Sequence, residues 1–94
     1  MIKVVAKALV KEECVSDFTA IGKKLVEASQ KEDGNISYSL NVSTENPRLF
    51  CFIEIWENPQ ILASHAKTSH FLEAMGNMKP MTEGKMTIEM FQEV

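Results

Sequence analysis

Two histidines, His65 and His70, are the side chains here best suited to moving a proton near neutral pH, because imidazole titrates in that range. His65 follows Ile61 and Leu62 at helical steps, so it shares their apolar stripe and points at whatever that helix covers. It is either a core-edge histidine bonded to a backbone carbonyl or a pocket-lining general base. Trp56 stands just before the same helix; a flat ring beside an imidazole suits an aromatic ligand, and equally suits a core. Glu54 is a charge inside an apolar run. It either sits at a pocket wall with a shifted pKa or pairs with a lysine on a neighbouring strand. Tyr38, the sole tyrosine, can donate a hydrogen bond into that pocket or pack as core. His70 comes five residues after His65, whereas zinc pairs on one helix want steps of three or four, and no HExxH occurs. No metal site is expected, and His70 is placed at the cavity mouth or on the surface.

The remaining chemistry is limited by what is missing. There is no nucleophile elbow, P-loop or GxGxxG, so acyl transfer and nucleotide or dinucleotide chemistry have no support, and no cofactor is expected. Cys14 and Cys51 form no CxxC pair and read as two reduced thiols, with Cys51 a small core residue. The net charge is −3, and of ten basic residues all but Arg48 are lysines, none clustered. A nucleic-acid partner is therefore not expected. No apolar run approaches a membrane span, and the start, Met1-Ile2-Lys3-Val4-Val5-Ala6-Lys7, breaks up the apolar stretch a signal peptide needs. A cytoplasmic protein is the expectation, with residues 1–94 forming one domain.

These side chains must be positioned by a short set of elements. Residues 2–10 predict a strand with Ile2, Val4, Ala6, Ala8 and Val10 on one face and Val5 and Leu9 on the other. Residues from about 13 to 32 predict a helix with one stripe, Val15, Phe18, Ile21, Leu25, Val26 and Ala28, flanked by charges that include Glu32. Asp33-Gly34 ends it. Residues 35–43 alternate, with Ile36, Tyr38, Leu40 and Val42 on one side. Asn46-Pro47 marks a turn into a strand over 49–56 that is apolar on both faces, Phe50, Phe52 and Trp56 sharing one of them with Glu54. Asn58-Pro59 caps a helix. A second short helix begins near Thr68 or Ser69, carries Phe71, Leu72 and Met75, and fades at Gly76-Asn77, with Pro80 in a loop. Residues 84–92 form the last strand, Met86, Ile88 and Met90 on one face.

The order is strand, helix, strand, strand, split helix, strand: an α+β, ferredoxin-like βαββαβ domain. Helices can cover one face of its sheet. Apolar residues on both faces of the first and third strands require a cover for the other, and a second copy supplies it, giving a homodimer packed sheet to sheet.

Three segments in register resemble the antibiotic biosynthesis monooxygenase domains. Glu32-Asp33-Gly34-Asn35-Ile36-Ser37-Tyr38-Ser39-Leu40 looks like their acidic-X-Gly-X-X-X-Tyr-X-Leu segment. Phe52-Ile53-Glu54-Ile55-Trp56 resembles the third strand with its Glu-X-Trp element, and Ala63-Ser64-His65-Ala66-Lys67-Thr68-Ser69-His70-Phe71 is similar to their His-X-X-(Ser/Thr)-X-His-Phe helix. The resemblance implies a dimeric α+β barrel. It also implies one of several activities: oxygenation of quinols or polyketide anthrones without metal or flavin, haem degradation, isomerisation of a small signalling sugar, or no turnover. The haem degraders carry a tryptophan and a haem-ligating histidine where this chain has His65 and Met75, which argues against that branch. The expectation is a cofactor-independent monooxygenase of a small electron-rich aromatic. His65 is its base or orienter, and Trp56, Tyr38, Glu54, His70 and Phe71 contact the substrate. The alternatives are a sugar isomerase and a non-catalytic ligand-binding or stress protein.

Overall fold

The computed structural model describes residues 1–94. A four-stranded antiparallel sheet forms from β1 (Ile2–Leu9), β2 (Asn35–Val42), β3 (Leu49–Trp56) and β4 (Thr87–Gln92), in the order β2-β3-β1-β4. Three helices, α1 (Val15–Gln30), α2 (Pro59–His65) and α3 (Ser69–Met78), are joined to it in the βαββαβ order with the second helix split. This is the ferredoxin-like architecture expected from the strand and helix periodicities.

The core lies between the helices and one sheet face. Val4, Ala6, Ala8, Phe50, Phe52, Trp56 and Tyr38 supply the sheet side, and Phe18, Leu25, Ala74 and Met78 the helix side. Register fixes this sidedness, because side chains alternate between the faces of a strand. Ala6 opposes Phe52 and Val4 opposes Glu54, so Glu54 is carried inward with the aromatic residues and is buried. The helix-side face of β3 is therefore the one bearing Trp56. The other face presents Val5, Ile53, Ile55 and Phe91 without a helix over it; Val5 pairs directly with Ile53.

Boundaries differ from the sequence expectation where packing or a turn overrides the local signal. A short 3-10 turn at Glu12–Cys14 precedes α1, which ends at Gln30 rather than running to residue 32. The chain then turns through Gly34, whose φ of +85° suits glycine. A β-bulge between Asn35 and Ser37 turns Ile36 outward while Tyr38 stays inside. α3 does not fade at Gly76: Met78 is fully buried beside the core and Ala74, one turn earlier, is buried with it, which carries the helix on. Pro80 sits in a 3-10 turn, Lys79–Met81, and β4 starts at Thr87, leaving Met86 outside it. Cys51 is half-buried on the sheet's open face and is not a core residue, and both cysteines are free. No helix is long and apolar enough to cross a membrane.

Candidate active site

Two capped helix ends bring the histidines together. Asn58 starts α2, its Oδ1 accepting from the Ile61 N–H at 2.9 Å, and α2 ends at His65. Thr68 is the hinge to α3. Its hydroxyl donates to the His65 carbonyl at 2.8 Å and accepts from the Phe71 N–H at 3.3 Å. His65 thus ends one helix while His70 and Phe71 open the next. The five-residue spacing that excluded a shared helical face is no obstacle here, because the two histidines belong to different helices.

Between them stands Glu32, just past the end of α1. Its Oε2 lies 2.6 Å from His65 Nδ1 and 2.7 Å from His70 Nε2. Gly34 makes the approach possible. A Cβ there would meet Ile61 Cγ2 at 2.7 Å, so α2 rests against bare backbone at the turn that carries Glu32. Sequence reading placed Glu32 among the solvated charges of α1. The acidic-X-Gly pattern around it is the one signal that could have marked it out.

His65 is fully buried in an aromatic cage. Its ring centroid lies 4.5 Å from that of Trp56, 4.8 Å from Phe71 and 5.5 Å from Tyr38. Its Nδ1 faces Glu32, and its Nε2 is buried with no hydrogen-bond partner. Burial holds the His65 pKa below its ordinary value, against the opposing pull of Glu32. A neutral imidazole with a free ring nitrogen is the base-competent form.

The ring forms part of the wall of a cavity of about 280 Å³ between the sheet and the α2–α3 pair. The wall is almost wholly apolar, with Val4, Phe52, Leu62, Phe71, Met75 and Met90 contributing, and His65 and Glu54 are its two titratable members. No lysine or arginine faces it. Glu54 accepts the Trp56 indole N–H on Oε1 at 2.9 Å. Burial raises the Glu54 pKa, while the Trp56 and Tyr38 donors pull it back. The Tyr38 phenol is pushed well up, first by burial and then by the charge of Glu54.

Of the six residues singled out from the sequence, His65, Glu54 and Phe71 line this cavity. Trp56 and Tyr38 do not: both are buried and packed against the His65 ring. His70 is not at the mouth of this cavity. It faces a separate groove of about 270 Å³ between α1 and α3.

Glu32, His65 and His70 are also the one group whose carboxylate and imidazole atoms converge within 4.8 Å in the manner of metal ligands. Their separations from one oxygen are hydrogen-bond lengths, 2.6 Å and 2.7 Å.

The chain is thus a ferredoxin-like domain with a buried imidazole and a buried carboxyl on one largely apolar cavity. The family model described as antibiotic biosynthesis monooxygenase matches residues 1–77, and the chain belongs to that family. A crystal structure of a conserved protein from Methanosarcina mazei is 31% identical with a TM-score of 0.96, over 99% of this chain and 92% of that one. A crystal structure described as an antibiotic biosynthesis monooxygenase is 28% identical with a TM-score of 0.96, over 100% and 99%. Among curated relatives, the Bacillus subtilis protein YcnE, which carries the provisional name of a monooxygenase, is 31% identical over 76% of this chain and 75% of its own. An uncharacterised Synechocystis protein is 34% identical over 68% of this chain, and the match spans 44% of that protein's length.

Proposed function

We propose that this protein is a cofactor-independent monooxygenase of a small, neutral, electron-rich aromatic such as a quinol or a polyketide-like phenol. The observation that carries the reading is the buried, unpartnered Nε2 of His65, a residue on the wall of a cavity otherwise almost entirely apolar. His65 takes the proton of a ring hydroxyl. The resulting anion is electron-rich enough to give one electron to O2, and the ring radical and superoxide combine at a carbon bearing hydrogen. The peroxide regains the proton from His65 and loses water, its second hydrogen leaving from the same carbon. One oxygen atom ends as a ring carbonyl and the other in water. Glu54 offers its carboxyl to the substrate's second oxygen.

The sugar-isomerase alternative fits this cavity less well. A sugar brings several hydroxyls, and a wall with two polar groups leaves most of them without partners. A charged substituent would meet no cation there. A ligand-binding protein without turnover shares the same cavity, and oxygen uptake separates the two. Stoichiometric O2 consumption with a panel of quinols, absent without protein and with one atom of ¹⁸O₂ in the product, is the expected result. Tight quinol binding without oxygen uptake above background would leave the binding protein.

The working form in this reading is a cytoplasmic homodimer. Val5, Ile53, Ile55 and Phe91 support it: they lie on a sheet face that no helix covers, with Lys3 and Glu89 between and beside them, and Ile53 and Phe91 are exposed at 41% and 49%. Apolar patches of this kind mark interaction surfaces.

A further inference from the structure

We propose that Glu32 and His70 act together as positioning residues for the base, fixing His65 in the tautomer whose Nδ1 carries the proton and whose Nε2 lone pair faces the substrate. The role rests on the reading of His65 as the base. It assigns work to two residues that touch no part of the cavity.

The argument is one of donors and acceptors. A carboxylate oxygen has lone pairs and no proton to give, so each ring nitrogen beside Oε2 must bring its own. His65 Nδ1 at 2.6 Å therefore carries hydrogen, and so does His70 Nε2 at 2.7 Å. A neutral imidazole has a single N–H, so His65 has none left for Nε2. That agrees with Nε2 being the ring nitrogen without a partner. The opposite tautomer would bury an unsatisfied N–H at Nε2 and set two lone pairs against each other at Nδ1.

His70 does for Glu32 what Glu32 does for His65. Glu32 alone could swing, since it lies beyond the last turn of α1. A second donor on the same oxygen pins the carboxylate in one rotamer. Gradation of exposure fits the arrangement: the side chains of His65, Glu32 and His70 are 2%, 15% and 29% exposed, so the chain of contacts runs outward from the cavity wall to the α1–α3 groove. When His65 becomes an imidazolium, the same carboxylate sits against the new charge and lowers its cost inside the apolar wall.

The test reads the tautomer directly. In protein labelled with ¹⁵N-histidine, the ring-nitrogen shifts at neutral pH should show His65 protonated on Nδ1. In Glu32→Gln that state should lose its dominance, because a neutral amide accepts more weakly than a carboxylate and can turn its NH2 donor toward Nδ1, and turnover should fall by about 10²–10⁴-fold. His70→Ala should give the same direction of change with a smaller loss. His70→Gln, which restores a donor to Glu32, should recover much of it. Far-UV circular dichroism on each variant identifies one that has merely lost its fold, and the Gln rescue then carries the decision. A wild-type spectrum with the proton on Nε2, or a tautomer unchanged in Glu32→Gln, overturns the proposal. So does Zn²⁺ binding at micromolar concentration that Glu32→Gln abolishes, since the three groups would then be metal ligands. A tautomer that shifts as expected in a protein that never consumes O2 supports the positioning role and removes the oxygenase reading instead.

Discussion

Trp56 donates its indole N–H to Glu54 two residues earlier on the same face of β3, at 2.9 Å. The contact joins a fully buried ring to a buried carboxyl that also faces the cavity. It explains how a charge is tolerated in an otherwise aromatic strand face.

Glu54 has a measurable stability signature. Burial lifts its pKa from the ordinary 4.5, so above that pH the folded chain holds the proton more tightly than the unfolded chain. This residue's contribution to stability is present below pH 4.5 and is lost as pH rises through the folded pKa. Glu54→Gln keeps an oxygen for Trp56 and removes the ionisation. Its melting temperature should exceed that of the wild type by a margin that widens from pH 5 to pH 8. A margin that is flat or shrinks with pH would show that Glu54 is not strained by burial.

His65→Ala should lower oxygenase turnover by about 10²-fold or more, the usual worth of a positioned base. The ring is fully buried, so a stability cost of about 1–3 kcal/mol accompanies it, measurable by urea denaturation. A variant that folds and turns over within a factor of a few of the wild type would take His65 out of the mechanism.

The pH profile follows from the direction of the His65 shift. Burial holds the pKa below 6.5, so the neutral base persists to lower pH than in a free histidine. The acid limb of kcat/KM should fall to half at a pH below 6.5. Folding should also weaken as pH drops from 6.5 toward the folded pKa, where the unfolded chain takes up the proton first. A midpoint well above 6.5 would mean that Glu32 outweighs burial.

Ile53→Lys tests the open sheet face. Ile53 stands opposite Val5 on that face and contributes nothing to the cavity. Light scattering should give twice the 10.6 kDa chain mass for the wild type and the single mass for the variant. A wild-type monomer at micromolar concentration removes the dimer.

Gly34→Ala should cost about 1–3 kcal/mol, because φ is +85° and the new methyl would run into Ile61. The damage should reach activity as well as melting temperature, since the same turn sets Glu32 against α2. A melting temperature equal to the wild type's would refute the close packing at this turn.

The fold was legible because periodicity and capping agreed. Alternation sorted the residues of β1 and β3 into two faces, and Asn58-Pro59 named the start of α2; which face of β3 lies inward was not readable, because both are apolar. The ends of α1 and α3 were less so. Gln30 and Met78 end their helices for tertiary reasons, one by the turn to Gly34 and the other by burial against the core. Within the site, His65 was readable from its stripe with Ile61 and Leu62. Glu32 was not, because its partner is 33 residues away and a charge at a helix end looks solvated until another helix arrives. Trp56 was assigned to the ligand wall, yet Phe52 and Glu54 of the same strand face reach the cavity while the indole is buried against the His65 ring. A two-residue repeat gives a side chain's face and says nothing of its neighbours along the sheet.

Part of the apolar wall sits away from the two titratable groups of the cavity, on β4 and α3. His65 and Glu54 are locked by Glu32 and Trp56, while Ile88 and Met90 reach the cavity from an edge strand and remain exposed at 54% and 63%. Changes at those two positions, or at Met75, reshape what fits without disturbing a single hydrogen bond of the proton-handling groups. The shape of the cavity can thus drift under mutation while the groups that hold its imidazole and carboxyl stay as they are.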